Sequence, residues 1–243
     1  MEEPAFADLL SRLMDYRGLS PGSLSRLVRL SEGRPGAGLD NVAPDSLRLR
    51  ALAPVLGMHA ADLFLAAGLA VPDDLCPLDA KAMGRVDKLA EAALGLRASQ
   101  RSRLLARARS LGQEERTAAP PEDLAHRQYQ PGVGALLVGM LRVRNLDPFA
   151  TVHILVPMTG RYVASSVISR IGLGKGVLTP EWLADFGAVL GMSAGLLAAV
   201  TGLEVADVPR DPAVVDAADL IWEARRLVVD QVRYLIEVAK LME

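Results

Sequence analysis

The sequence predicts an all-α protein because of its composition, its hydrophobic periodicity and its internal repeat. Of the 243 residues, 51% are hydrophobic and only 4% are aromatic. A chain dominated by Ala, Leu, Val and Gly favours helices with small side chains over a β-sandwich. Apolar residues recur at the three- and four-residue spacing of amphipathic helices. We predict two small helical units at 1–72 and 131–206, a helical linker at 73–130, and a long C-terminal helix at 207–243.

The first unit begins with an amphipathic helix over residues 5–16. Ser20-Pro21 begins a second helix, since serine is a favoured N-cap and proline a favoured first helical residue. From Ser31 to Pro44, glycine and proline exclude a helix of useful length. Two further helices are predicted over residues 45–56 and 60–67.

The second unit repeats the residue order of the first at two constant offsets. An offset of 127 relates Leu137, Met140, Leu146, Asp147 and Pro148 to Leu10, Leu13, Leu19, Ser20 and Pro21. An offset of 134 relates the Leu-Gly-Met segment ending at Met192 to the one ending at Met58. These offsets predict two copies of one small helical unit, the second with a seven-residue insertion. The alternative is that two generic amphipathic helices share a Leu-Gly-Met ending.

Within the second unit, the stretch from residue 165 to 203 is the most informative. Ser165-Ser166 is placed to cap a short helix whose isoleucines face one way, while Ser169 and Arg170 face outward. Glycines end this helix just before Lys175. Another amphipathic helix follows over 179–190, and a third begins at Ser193.

This order resembles the lambda-repressor/Cro-type (XRE-type) helix-turn-helix regulators. The shared features are Ser-x-Ile-Ser-Arg-Ile, a Gly-Lys turn, and a Leu-rich helix ending in Leu-Gly. Against that family, Val156–Gly160 is interpreted as an inserted loop. The first copy has Glu32–Gly38 where its reading helix belongs, so that copy is degenerate.

The resemblance implies a transcriptional regulator that places a short helix in the major groove of double-stranded DNA. Short polar side chains near the start of that helix then contact base edges, and neighbouring cations contact the backbone. The residues expected at the interface are Arg161, Tyr162, Ser165, Ser166, Ser169, Arg170 and Lys175.

The linker and the C-terminal segment are predicted to be helical. Asp79 is expected to cap a helix through Ala93, and Ser99 to cap the next one. Asp211-Pro212 opens a helix to about Met242 with an apolar seam. Such a seam needs a partner surface, either within the monomer or across a dimer. Because regulators of the resembled family commonly dimerise, we expect a homodimer formed by Ile221, Val228, Val232, Leu235 and Met242.

The net charge of the chain and its distribution are also compatible with a function other than DNA binding. The net charge of −2 and the pI near 6.0 are unlike those of a dedicated DNA binder. Residues 131–203 carry five basic and three acidic side chains, whereas 204–243 carry five basic and nine acidic. The acidic C-terminus and the degenerate first copy favour the alternative, a non-enzymatic interaction or oligomerisation module on a helix-turn-helix scaffold.

The remaining motifs indicate no catalytic residue, metal or cofactor. The glycine-rich string at 172–176 lacks the spacing of a phosphate-binding loop. The three histidines are scattered, and His153 is expected to be a core or turn residue. A single cysteine, Cys76, and the acidic start of the chain favour a cytoplasmic protein. Glycines interrupt the uncharged stretch at 186–203, so we expect no membrane span. Scarce lysine and plentiful arginine are typical of GC-rich bacterial genomes.

Overall fold

The computed structural model describes residues 6–32, 45–119 and 129–242. These ranges form thirteen α-helices and contain no strand, which confirms the all-α class. The helices are α1 Phe6–Arg17, α2 Pro21–Glu32, α3 Ser46–Leu56, α4 Ala60–Ala66, α5 Val86–Leu94, α6 Ala98–Ser110, α7 Val133–Val143, α8 Pro148–Thr159, α9 Ser165–Gly172, α10 Pro180–Leu190, α11 Ala194–Thr201, α12 Pro212–Ala224 and α13 Val229–Lys240.

Side-chain caps fix the ends of several helices. Asp147 accepts a hydrogen bond from the Ala150 amide at the start of α8, and Thr179 and Ser193 do the same for α10 and α11. Gly191 ends α10 with φ +71°, a left-handed conformation that glycine adopts without steric cost. Helix α10 therefore begins and ends close to where the sequence predicts, and α11 begins next to the predicted Ser193.

Helix bounds in the two units differ by the offsets read from the sequence. Helix α8 begins and ends 127 positions after α2, and α10 begins and ends 134 positions after α3. The contacts are also reciprocal, because α1 packs on α11 while α7 packs on α4. The duplication itself stays a prediction. The segment expected to replace the reading helix of the first copy, from residue 33 to 44, lies outside the described residues.

The linker helices are in the middle of the fold. Helix α5 packs against α8, α12 and α13, and α6 packs against α12 and α13. The expected helix from Asp79 to Ala93 is wrong, since Asp79 caps only a 3-10 turn, Ala80–Ala82, and α5 begins at Val86. Gly84 at φ +71° separates the two. Ser99 is likewise not a cap, because Arg97 precedes α6 and its amide donates to the Gln100 side chain.

The C-terminal segment is two helices, not the long one predicted. The chain breaks after Ala224 and resumes as α13, where the Val229 amide donates to Asp79. The apolar seam is covered by the chain's own linker helices, so these side chains are not a free dimer surface. Ile221, Val228, Val232 and Leu235 are at most 4% exposed, and Met242 is partly buried against the core.

No single helix in the described ranges is both long and apolar enough to span a membrane. Two pairs of helices reach that length and composition only together, and each pair is sharply bent. The pairs are Ser46–Leu56 with Ala60–Ala66, at 113°, and Pro180–Leu190 with Ala194–Thr201, at 111°.

Candidate nucleic-acid interface

Helices α8 and α9 form a two-helix corner joined by residues 160–164. Gly160 ends α8 in the left-handed conformation, with φ +75°. The interpretation of Val156–Gly160 as an inserted loop is wrong, because α8 continues through Pro157 to Thr159. Because α8 has the same length as α2, the seven added residues lie after α8, between 160 and 179, and residues 160–164 connect α8 to α9.

Helix α9 is held against the core by its apolar face. Ile168 and Ile171 are each 1% exposed, and α9 packs on both α7 and α8. The approach to α7 is close, since a Cβ added at Gly134 would lie 1.9 Å from the Ile171 carbonyl oxygen. Glycine at 134 is thus required for the position of α9.

The opposite face of α9 reaches solvent. Ser166 and Arg170 are exposed, and Ser165 and Ser169 are half-buried. Positions 166, 169 and 170 share one helix face, because residues three and four apart are neighbours on a helix. Tyr162, in the preceding connection, is 87% exposed. Five of the seven residues predicted for the interface thus surround the start and the outer face of α9.

Lys175 is held next to Arg170 by the end of α9. Gly174 adopts φ +67°, its amide donates to Ile171, and the Lys175 amide donates to the Arg170 carbonyl at 2.9 Å. These bonds form a Schellman motif, which folds the chain back over the last turn. Both side chains are exposed, and neither forms an ion pair with a described residue.

The N-terminus of α9 has no side-chain cap. The expected cap by Ser165-Ser166 is wrong, since Ala164 is the N-cap and no side chain accepts from the first-turn amides. The two serine hydroxyls are consequently not engaged in capping, while the Val167 amide donates to the Ala164 carbonyl at 2.9 Å. A helix N-terminus of this kind favours a negatively charged group.

Arg161 does not belong to this exposed set. Its guanidinium pairs with Asp185 of α10 and lies 4.5 Å from the centroid of the Trp182 ring. An arginine that is already paired and stacked has little free charge for a phosphate. Arg161 therefore holds α10 in position beside the corner.

Buried acidic residues are the main feature that sequence reasoning missed. Asp62, Asp79 and Asp87 are 0%, 1% and 4% exposed. His153 was expected in the core or a turn, but it is exposed on α8 and pairs with Asp87 at 3.0 Å. Arg144 pairs with Asp62 from 82 positions away and His153 pairs with Asp87 from 66 positions away, so helical periodicity contains no signal for these two pairs.

No protein family, no curated protein and no solved structure matches this chain.

Proposed function

We propose that the chain binds double-stranded DNA by placing α9 in the major groove, as a transcriptional regulator does. The observation that carries the proposal is the uncapped, solvent-facing α9 with two unpaired cations at its end. Eight residues at 1.5 Å each make α9 about 12 Å long, which is about the width of the major groove.

Each polar residue has a role that its position supports. Ser166 and Ser169 present short side chains that reach base edges, and Arg170 has the fork geometry that pairs with guanine. Lys175 and the first-turn amides suit phosphate oxygens, which fix the register of the helix without reading sequence. Tyr162 lies at the rim of this surface.

The total charge of this surface is small, so a second copy of the interface would raise affinity. A homodimer remains part of the proposal, but its interface lies elsewhere than the buried C-terminal seam. Two copies of α9 about 34 Å apart would match successive turns of the major groove.

The test is selection of bound duplexes from a random pool, followed by titrations at two salt concentrations. Arg170→Ala should weaken binding to the selected sequence by about 1–3 kcal/mol and relax sequence preference. Lys175→Ala should weaken binding to all sequences and lower the salt slope by about 1. Arg103→Ala, an exposed arginine of α6, is the matched control and should bind like the unaltered protein.

Equal losses for Arg170→Ala and Arg103→Ala would show non-specific attraction and overturn the proposed reading role of α9. Failure to enrich any duplex, even at low salt, would overturn DNA binding as a whole.

A second candidate function is a protein-interaction module on the same scaffold. Large apolar side chains are exposed around the corner, with Phe149 at 73%, Tyr162 at 87% and Val177 at 79%. Exposed aromatic side chains of this kind are typical of protein interfaces. Under this candidate, Tyr162→Ala would abolish partner binding, while Arg170→Ala would leave it unchanged.

A further inference from the structure

A cavity lies between α10 and the segment that joins α11 to α12. Residues 206–211 of this segment run alongside α10, since the Ala206 amide donates to the Pro180 carbonyl at 3.1 Å and Arg210 lies beside Gly187. The end of α8 and the start of α11 also line the space. Its volume is about 600 Å³, within the range of about 300–1,000 Å³ typical of small-molecule sites.

The guanidinium of Arg210 faces this cavity without a partner. Arg210 is half-buried, and none of its nitrogens forms a hydrogen bond or an ion pair with a described residue. None of these nitrogens is fully enclosed by protein, so the unused donors reach the cavity and not the core. A guanidinium has five N–H donors and no acceptor, and it therefore suits an anionic group of a ligand.

Gly187 of α10 makes room for this guanidinium. A Cβ added at Gly187 would lie 2.7 Å from Arg210 Nη2 and 3.0 Å from the Met192 carbonyl oxygen. A larger residue at 187 would therefore displace the guanidinium from its place against α10. The fold thus holds the Arg210 side chain along the cavity wall.

Asp207 is the other polar side chain of the lining that has no partner among the described residues. Burial lowers the pKa of Arg210 and the charge of Asp207 opposes this, so the two groups are close, yet no ion pair joins them. The remaining polar side chains of the lining already form hydrogen bonds or ion pairs within the fold. They are Thr159, Glu181, Asp185, Ser193 and Asp211.

The rest of the wall selects against a simple anion. Carboxylates in the lining outnumber its single arginine, which favours a ligand that also has a positive charge. Apolar side chains complete the wall, and one of them, Val208, is 56% exposed. An apolar group placed in the cavity would cover it.

We infer that this cavity binds an α-amino acid with an apolar side chain, with its carboxylate on Arg210 and its ammonium on Asp207. A guanidinium binds a carboxylate through two parallel hydrogen bonds, and an ammonium donates to a carboxylate. Both charged groups of an α-amino acid are attached to one carbon, which suits two protein charges that are close together but not paired. The apolar side chain of the ligand lies along Met158, Val208 and Val214.

The test is calorimetric titration of the full chain, without DNA, with L-phenylalanine and two analogues. The analogues are 2-phenylethylamine, which lacks the carboxylate, and 3-phenylpropanoate, which lacks the ammonium. L-phenylalanine should bind more tightly than either analogue by about 10-fold or more, because each analogue loses one charged hydrogen-bonded contact.

Two variants assign the two contacts. Arg210→Gln should lower affinity for L-phenylalanine and 3-phenylpropanoate by about 10-fold without weakening 2-phenylethylamine. Asp207→Asn should lower affinity for L-phenylalanine and 2-phenylethylamine by a similar factor without weakening 3-phenylpropanoate. Arg103→Gln, at an exposed arginine of α6 outside the cavity, is the matched control and should bind all three ligands like the unaltered protein.

Circular dichroism establishes that each variant is folded. If Arg210→Gln does not fold, Asp207→Asn and the comparison of the three ligands still decide the outcome. No binding of L-phenylalanine, equal affinities for L-phenylalanine and either analogue, or equal losses for Arg210→Gln and Arg103→Gln would overturn the site. The titration contains no DNA, so its outcome is independent of the proposed function.

Discussion

Asp62 of α4 and Arg144, just after α7, form an ion pair in which neither side chain reaches solvent. Two nitrogen–oxygen contacts of 2.8 Å join them. Arg144 also donates to the carbonyls of Met140 and Leu190, so most of its donors are satisfied. Such bidentate geometry offsets the cost of removing two charges from water. The pair ties the first unit to the second, and loss of one partner would leave an uncompensated buried charge.

A ring stack beside this pair gives the protein a pH-dependent stability. His59 stacks on Trp222 with centroids 3.5 Å apart, and Arg225 lies 3.4 Å from the same centroid. Since two groups cannot occupy one volume, they cover opposite faces of the indole. Burial of the ring lowers the pKa of His59 to about 4, opposed by the charge of Asp62 and aided by Arg144 and Arg225.

The lowered pKa of His59 makes the free energy of unfolding depend on pH. Because the folded pKa of His59 is below its unfolded value of 6.5, the unfolded chain binds more protons below pH 6.5. Stability contributed by neutral His59 is therefore full above pH 6.5 and is lost as pH falls toward 4. Although its ring is stacked on Trp222, His59 as a whole residue is exposed, so we discount the effect to about 1 kcal/mol between pH 7 and pH 5.

Urea unfolding at pH 7 and pH 5 measures this loss. His59→Phe keeps the stack on Trp222 without a titrating group and should reduce the difference between the two pH values by that amount. An unchanged difference would show that the His59 ring does not titrate with a lowered pKa.

At the scale of helices, the sequence predicts the ends that local residues determine and misses those set by distant contacts. Helices α10 and α11 follow their Thr, Ser and Gly caps. The break between α12 and α13 has no glycine or proline, and depends on Asp79, which accepts from Val229, Thr117, Lys81 and Ala118. Burial raises the pKa of Asp79, but these bonds outweigh that effect and hold it below its usual value.

The same limit applies to the candidate interface. The Ser-x-Ile-Ser-Arg-Ile pattern is sufficient to predict the buried and exposed faces of α9. The continuation of α8 through Pro157 is not predictable, since proline normally interrupts a helix and tolerance depends on packing. The pairing of Arg161 with Asp185 needs the position of α10, which no local pattern contains.

The close contact between α7 and α9 predicts that a larger residue at position 134 destabilises the protein. Gly134→Ala would place a methyl group 1.9 Å from the Ile171 carbonyl oxygen and 2.9 Å from its carbon, both of them backbone atoms. Backbone cannot move aside as a side-chain end does, so we expect a loss of about 3 kcal/mol and displacement of α9. Urea unfolding measures the loss.

Gly22→Ala is the matched control, because Gly22 lies in α2 with nothing within 4 Å of the added Cβ. It should leave stability unchanged or raise it by up to about 1 kcal/mol. A Gly134→Ala variant as stable as that control would contradict the close approach of α9 to α7.

Helices of the two units, the linker and the C-terminal segment pack against one another across the whole molecule. Helix α1 packs on α11, where Arg12 Nε donates to the Ala199 carbonyl at 2.8 Å and Tyr16 bonds Ser193. Helix α4 packs on α7 and adds the Asp62–Arg144 pair. The C-terminal helices cover both linker helices. Each segment thus buries apolar surface that belongs to another, and such a chain is expected to unfold as one cooperative unit.

A substitution in the apolar seam of the C-terminal helices tests whether this seam packs within one chain or between two chains. Leu235 is 0% exposed, in the helix that packs on α5 and α6. Leu235→Asp would place a carboxylate in this core with no cation provided for it, and we expect a loss of about 3–5 kcal/mol, with partial unfolding at 37 °C. Tyr234→Asp, at an exposed neighbouring position, is the control and should change stability by less than about 1 kcal/mol beyond the loss of its contact with Arg107. Urea unfolding and light scattering together separate the two arrangements. A lowered unfolding midpoint for Leu235→Asp at unchanged particle mass places the seam inside each chain. An unchanged midpoint with half the particle mass would place it between two copies.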